Sequence, residues 1–536
     1  MFDYIIKNGT LIDGTGSPRY QADLAISGDQ IVKIGQLDCA EAKEVLDASG
    51  CIVCPGFIDN HSHADQNVLA DPYGRNFLCQ GITTEVGGNC GDSLSPHHGE
   101  IISIAASSMT FADKETMADI KATTKTFPEF MDKLGKTPIS ANMSSYIGHG
   151  AIRNKVMGYS PEAPTPEQLE EMKRIVREAM EAGAAGMTSG LIYPPGSYAK
   201  IPELVELCKV VAEYGGNYGT PVRSEGDGVI NSVKEAIEVA RQSGVHLILS
   251  HHKVSGQKNW GDSAVTLGLV EEALKEGINV HLDQYPYNAG ATVLSCTIPQ
   301  EFSAQGMPAL LKNLESPAFR EEVKEVILHG TSSSEIVVRS TGGLQNIIVT
   351  MAPGMSEVEG KRVTEIAEEW GVAPYDALFD LLIRTNGKAM AVFFVMNEAD
   401  VERIMQHPRV MFGTDASQSS FVNAFGHPRA FASFPRILSY YVGERGLLTL
   451  EEAIRKSTSL PAEVLGLKHK GILREGMDAD IAVIDLENLS TEASYVNPNG
   501  CNHGFKYVLV NGQIAVKNDV CTDVMSGRLL RMNGDV

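Results

Sequence analysis

The first fifty residues carry short apolar runs separated by turn dipeptides. Tyr4-Ile5-Ile6 leads to Asn8-Gly9 and then Thr10-Leu11-Ile12, and residues 23–26 and 30–34 flank Gly28-Asp29. Asn-Gly between two apolar runs is a strong hairpin signal, so this stretch predicts a small β unit without helices. From residue 51 the pattern changes to strand–helix alternation. The best-marked helix begins at Thr165, where Thr165 can cap, Pro166 suits the first helical position and Gln168 completes a capping box. Leu169, Met172, Ile175, Val176 and Ala179 follow at helical spacing, and Gly183 ends the run. The unit then repeats, with helices around 204–212, around 233–240 and from a cap at Ser263 to Leu274, each closed by glycine. Strand candidates fall at 51–58, 82–86, 139–147, 186–192, 218–222, 245–249, 280–282 and 410–412.

Consecutive β-α units imply parallel strands joined by right-handed crossovers. Eight of them favour a closed (β/α)8 TIM-like barrel, although the pattern alone leaves an open sheet possible. The alternation breaks between residues 291 and 350, which predicts an insertion or lid after the seventh strand. Beyond Gly471 the chain turns β-like again, at 479–485 and at 506–510 before Asn511-Gly512. The expected organisation is a small sheet domain from 1–54 and 471–536, a barrel from 55–290 and 351–470, and the insertion.

The 536 residues include 67 Asp and Glu against 45 Lys and Arg, a net charge of −22. Such a surface repels phosphate backbones, which argues against nucleic acid as a partner. The nine cysteines are scattered and odd in number, which suits free thiols in a reducing compartment better than a disulfide framework. The N-terminus has no basic stretch followed by a long apolar run, and no segment approaches the roughly 20 apolar residues of a membrane helix. The expectation is a cytoplasmic chain that does not span a membrane.

The candidate chemistry sits after strands. His61-Ser62-His63 follows the first, Asn89-Cys90-Gly91 the second, His251-His252-Lys253 the sixth and Thr414-Asp415 the eighth. In barrels the carboxyl ends of the strands form the catalytic face. In an extended chain residues i and i+2 point the same way, so His61 and His63 can face one ion. Imidazole, thiolate and carboxylate are the usual zinc ligands. A bound metal activates water and polarises a carbonyl, and Asp415 can carry a proton from that water to a leaving nitrogen. Singly, each residue has a structural explanation: Cys90 as a small buried apolar group, His252 as a packing residue, Asp415 as a helix cap. Their coincidence at four strand ends is what points to amide hydrolysis.

These residues lie in motifs of a known family. Pro55-Gly56-Phe57-Ile58-Asp59 followed by His61-x-His63 resembles the opening motif of the amidohydrolase superfamily. Several further segments are similar to the N-acyl-D-amino-acid deacylases: Gly81-Ile82-Thr83-Thr84 with Gly88-Asn89-Cys90-Gly91, Ser189 to Pro195, Ser250 to Val254, Asp283-x-Tyr285-Pro286-Tyr287, and His427-Pro428-Arg429 with Phe434-Pro435-Arg436. The resemblance covers nearly the whole chain in order and is weakest over 291–350. It implies a distorted (β/α)8 barrel with a β-sandwich built from both termini. It also implies a metal pocket with His61, His63, Cys90, His251 and Asp415 as ligands, Asp415 as general acid/base, and Lys253, Tyr285 and Arg429 holding the substrate carboxylate or the oxyanion.

One position departs from the pattern. The family's metal-binding histidine after the fifth strand corresponds here to Pro221, within Pro221-Val222-Arg223-Ser224-Glu225-Gly226. Proline offers no side-chain ligand, so one tightly bound Zn2+ is expected instead of a two-metal cluster. The resemblance implies deacylation of N-acyl-D-amino acids, with a small molecule bearing an amide and a carboxylate as the partner. A different, possibly cyclic, amide and a ligand-binding relative without catalysis are the alternatives.

Overall fold

The computed structural model describes residues 1–97, 113–303, 305–331, 335–418 and 426–532. Among them, eight strands run in parallel in sequence order: Phe57–Asp59, Ile82–Gly87, Asn142–Ser145 with its extension Ile147–Gly148, Gly186–Thr188, Asn217–Thr220, His246–Leu249, Val280–Gln284 and Val410–Phe412. Each pairs with the next. The end of the eighth strand meets the end of the first, where Asp415 N donates to His61 O at 2.7 Å and His63 N to Ala416 O at 2.8 Å. Strands such as Val280–Gln284 are buried throughout. Helices cover them, as parallel sheets require.

The helix Pro166–Glu181 carries the expected capping box, with Thr165 and Gln168 bonding each other's backbone N–H, and it buries Met172, Ile175, Val176 and Ala179. Four boundaries differ from the sequence pattern. The run at 51–58 is two strands. Ile52–Pro55 pairs antiparallel with Ile481–Ile484, and Phe57–Asp59 opens the parallel series. Gly56 turns the chain between them where a Cβ would lie 2.3 Å from the Thr83 side chain. The fourth strand stops at Thr188 and the fifth at Thr220, the latter because Pro221 follows and has no N–H for the ladder. Ser263 is the first residue of its helix, not its cap; its hydroxyl bonds Asp400.

Both termini build the remaining sheets. A seven-stranded sheet runs in the order Val520–Cys521, Gln513–Lys517, Phe505–Val510, Ile481–Ile484, Ile52–Pro55, Thr10–Leu11, Tyr20–Gln21. A four-stranded sheet holds Gln30–Gly35, Asp23–Ser27, Phe2–Lys7 and Ala42–Asp47. Ile6, Leu24, Ile26 and Leu46 from the second sheet share one buried cluster with Leu11, Val53, Ile481 and Leu509 from the first. Buried Lys470 fixes this assembly to the parallel strands. Its Nζ lies 2.6 Å from Asp480 Oδ2, and the same Asp480 accepts from Asn511 N at 2.7 Å and from Asn142 Nδ2, on the third strand, at 3.0 Å.

Between the seventh and eighth strands the parallel order gives way to a three-stranded antiparallel sheet of Gly290–Val293, Met390–Phe393 and Ile347–Met351. This interruption reaches Phe393, well past residue 350. The helices Val363–Trp370 and Pro374–Arg384 before the strand at Met390 imitate a β-α unit in the sequence. Among the described residues no helix is long and apolar enough to cross a membrane.

Two neighbouring strands pair histidines: His246 Nε2 lies 2.7 Å from His281 Nδ1, and Arg409 Nη1 lies 3.1 Å from His281 Nε2. Arginine can only donate, so His281 carries its proton on Nδ1 and passes it towards His246. Both rings are neutral in this arrangement. Burial, with Arg409 adding to it, holds His246 down at about 4 and His281 at about 3. The unfolded chain protonates both nearer 6.5. Stability is therefore expected to fall as pH drops from about 6.5 towards 4, by up to about 1.4 kcal/mol per pH unit for each ring. Urea midpoints across that window should show this slope, and the His246→Gln/His281→Gln double variant should flatten it.

Candidate active site

The strand ends bring their polar side chains to one place. His61, His63, Cys90 and Asp415 offer ligand atoms that all lie within 4.8 Å of one another. His61 Nε2 is 3.4 Å from both Cys90 Sγ and Asp415 Oδ1, and His63 Nε2 is 3.1 Å from Asp415 Oδ1. His251 stands at the edge of this group, its Nε2 3.5 Å from Cys90 Sγ. With metal–ligand bonds near 2.1–2.3 Å, neighbouring tetrahedral ligands sit about 3.4–3.8 Å apart. The spacings and the donor chemistry both suit a divalent cation.

The backbone turns sharply to achieve this. Cys90, His251 and Asp415 have φ of 56°, 34° and 50°. Among the described residues, the other non-glycine positions with positive φ are all Asn or Asp, which with His populate it most readily; Cys90 is the exception in type. Buried carboxylates hold the turns. Asp65 accepts Gly88 N at 2.7 Å and Leu94 N at 2.9 Å, pinning the loop that carries Cys90. Asp283 Oδ1 accepts His251 N at 2.6 Å and lies 3.0 Å from His61 Nδ1. A proton on His61 Nδ1 leaves the Nε2 lone pair free to face the cluster as a metal ligand. Orientation of a ligating histidine by a carboxylate is the usual support of a metal ligand.

Charge is arranged around this group. Burial pushes the Cys90 thiol up, but His251 and His61 overcome it and hold it well below its ordinary value. Burial likewise raises Asp415, and Arg429 and His251 bring it well below the usual carboxylate range. Arg429 Nη1 lies 2.7 Å from Asp415 Oδ2. Glu225 Oε1 lies 2.6 Å from Lys253 Nζ and 3.1 Å from His251 Nδ1. Burial opposes its charge, yet Lys253 and His251 hold it at about 2. Tyr285 lies beneath both cations, with its ring centre 4.7 Å from the Arg429 guanidinium and 5.6 Å from Lys253 Nζ. Its buried hydroxyl has no hydrogen-bond partner among the described residues.

Lys253, Tyr285 and Arg429 thus gather beside the histidine–cysteine group. His252 turns away, its Nε2 2.9 Å from Thr266 Oγ1. Pro221 follows the fifth strand directly, and its carbonyl accepts Thr220 Oγ1 at 2.8 Å. Sequence reasoning missed Asp65 and the direct pairing of Arg429 with Asp415. Asp65 extends the alternation of His61 and His63 by one step, a signal that was available; Arg429–Asp415 had none. Glu335, from the insertion, was also missed. Its Oε2 accepts Glu225 N at 2.8 Å and Gly226 N at 3.0 Å, and its Oε1 accepts Ser340 Oγ at 2.7 Å. A cavity of about 930 Å³ lies along this contact, with Arg223, Asp227, Lys258, Glu335 and Arg339 among its lining residues; none of the four clustered ligands lines it.

A profile of the amidohydrolase family matches residues 44–305 and 345–516, most of the chain. The chain belongs to the amidohydrolase family. The gap in the match falls on the insertion that this amidohydrolase carries between its seventh and eighth strands. It is 33% identical to a D-aminoacylase of Alcaligenes xylosoxydans xylosoxydans over 534 residues, 99% of this chain and 97% of that protein. It is also similar, at 32% identity and a TM-score of 0.82, to a crystal structure of N-acyl-D-glutamate deacylase from Bordetella bronchiseptica complexed with zinc and a phosphonate inhibitor that mimics the tetrahedral intermediate; the match covers 99% of each chain. A D-aminoacylase structure described in terms of a binuclear metal centre, with one-metal activation and second-metal attenuation, matches at 30% identity and a TM-score of 0.81, covering 99% of this chain and all of that one.

Asp283→Asn removes the negative charge beside His61 and His251 while keeping the volume. Retention of zinc is expected to weaken by about 10–100-fold, measured by competition with a chromogenic chelator; unchanged retention refutes the orienting role.

Proposed function

We propose that this amidohydrolase hydrolyses N-acyl-D-amino acids to a D-amino acid and a carboxylate. The observation that carries the reading is the four-donor cluster of His61, His63, Cys90 and Asp415, with the cations Arg429 and Lys253 and the free Tyr285 hydroxyl at its side. The relatives' activities, matched over nearly full length, supply the substrate class. The eight parallel strands are taken as a (β/α)8 barrel. A β-sandwich from 1–54 and 471–536 flanks it, and 291–350 forms the core of the insertion. A small molecule is the partner, and the odd, scattered thiols favour the cytoplasm.

His61, His63, Cys90, Asp415 and the adjacent His251 would hold one Zn2+. The chemistry such an ion supplies when bound is a polarised amide carbonyl and a water with a pKa lowered to about 7. The protein's own groups do the rest. Asp415 enters as an anion, because Arg429 and His251 outweigh its burial. It accepts a proton from the attacking water and passes it to the leaving nitrogen. Tyr285 donates from its unpartnered hydroxyl, and Arg429, a planar two-pronged donor, suits the substrate carboxylate. Asp415→Asn is expected to fold and lose about 10²–10⁴ in turnover of N-acyl-D-amino acids; turnover within a few-fold of the parent excludes the role.

The metal count follows from Pro221. The fifth strand ends without a side-chain donor, so the remaining ligands fill one shell and leave a place for water. Elemental analysis of protein purified without chelator should find close to one tight equivalent, and Pro221→His should raise it. Two tight equivalents in the parent refute the assignment. Pro221 also favours a second reading, a cyclic amide as substrate, and turnover of a cyclic amide with none of N-acyl-D-amino acids establishes that reading.

A further inference from the structure

Cys79 and Cys521 are 442 residues apart in sequence, yet their sulfurs lie 3.2 Å apart. Cys79 closes the short helix Arg75–Leu78 between the first two parallel strands, and Cys521 ends the edge strand Val520–Cys521 of the seven-stranded sheet. Both are partly exposed, unlike the buried Cys54 and Cys208. The surroundings make the two thiols unequal. Hydrogen bonding from Cys79 holds Cys521 below its ordinary value against burial, and Arg75 adds to this. Cys79 is raised by the same contact and by burial. Of the two, Cys521 is the better nucleophile and Cys79 the resolving partner.

The pair lies under the active-site wall. Asn76 Nδ2 donates to Ser417 O at 3.2 Å and to Ala430 O at 3.0 Å, and Gln80 Nε2 to Ala430 O at 2.9 Å. Asn502 Nδ2, from the C-terminal region, donates to Cys79 O at 3.1 Å. The segment carrying Cys79 therefore supports both the chain after Asp415 and the helix that starts at Arg429.

We propose that Cys79 and Cys521 form a redox modification site, oxidised to an intrachain disulfide by low-molecular-mass disulfides and reopened by thiols. The Cys521 thiolate attacks one sulfur of the small disulfide, forms a mixed disulfide and releases one small thiolate. Cys79 loses its proton and attacks the Cys521 sulfur, which expels the second small thiolate. Two protein thiols are oxidised and one small disulfide is reduced to two thiols, so atoms and electrons balance. The bond ties the terminal sheet to the support of Arg429 and closes a very long loop of the unfolded chain, a stabilising constraint.

The test uses full-length protein carrying Cys39→Ser and Cys501→Ser, which removes the exposed thiols, treated with excess oxidised glutathione. Peptide mapping should recover Cys79 linked to Cys521 without glutathione, reversed by dithiothreitol. The oxidised form should melt higher than the reduced form, and Cys79→Ser should abolish that difference and leave glutathione on Cys521. Overturning results are a parent in which Cys521 keeps glutathione while Cys79 stays free, or in which both stay free. The map of the parent decides the matter even if the Cys79→Ser variant does not fold.

Discussion

The active site depends on three left-handed backbone turns at the ends of its strands. Cys90, His251 and Asp415 adopt left-handed φ at the ends of the second, sixth and eighth strands, and each such residue costs of order 1–3 kcal/mol. The surroundings supply the compensation. Asp65 takes two amides of the Cys90 loop, Asp283 takes the His251 amide, and the His61 carbonyl takes the Asp415 amide. The carboxylates at the centre thus divide between two tasks: Asp65 and Asp283 hold main chain, and Asp415 faces the reaction space.

The same division explains how a strongly acidic chain presents cations to an anionic substrate. Lys253 is pinned by Glu225 and Arg429 by Asp415, so each positive charge is buried with a partner that limits its desolvation cost. Arg429 reaches Asp415 from a helix whose N-terminus is set by His427, with His427 Nδ1 accepting Arg429 N at 3.0 Å. Farther out, Lys470 and Asp480 lock the terminal sheet onto the third strand. The terminal sheets meet each other through an apolar cluster and meet the parallel strands through this buried polar contact.

Much of this was legible in the sequence where a local rule governs. The Thr165 capping box, the parallel order and the placement of polar residues after strands follow from spacing and turn chemistry. Misreadings arose where tertiary context decides. Apolar residues on both sides of Gly56 look like one strand, and only the packing of Thr83 against Gly56 shows two. Helices inside the insertion carry the same amphipathic period as those around the parallel strands, so its far boundary was invisible. Arg429 and Asp415 are close in sequence but sit outside any shared helix or strand, and no periodicity foretells their side-chain pair. Glu335 lies where the resemblance is weakest, and it reaches the fifth-strand end mainly through the amides of Glu225 and Gly226, which leave no trace in residue type.

That last contact sets a rule for exchanging parts between related proteins. The Ser224 hydroxyl donates to this carboxylate at 3.3 Å, but the grip of Glu335 on the main-chain amides of Glu225 and Gly226 asks little of their side chains. Gly226 is the exception, since a Cβ there would meet Glu335 Oε1 at 3.0 Å. Glu335 and Gly226 therefore form a matched pair across two separately encoded segments. A transplanted insertion carries the geometry of Glu225, and with it the seating of His251 and Lys253, only if both halves of that pair travel together.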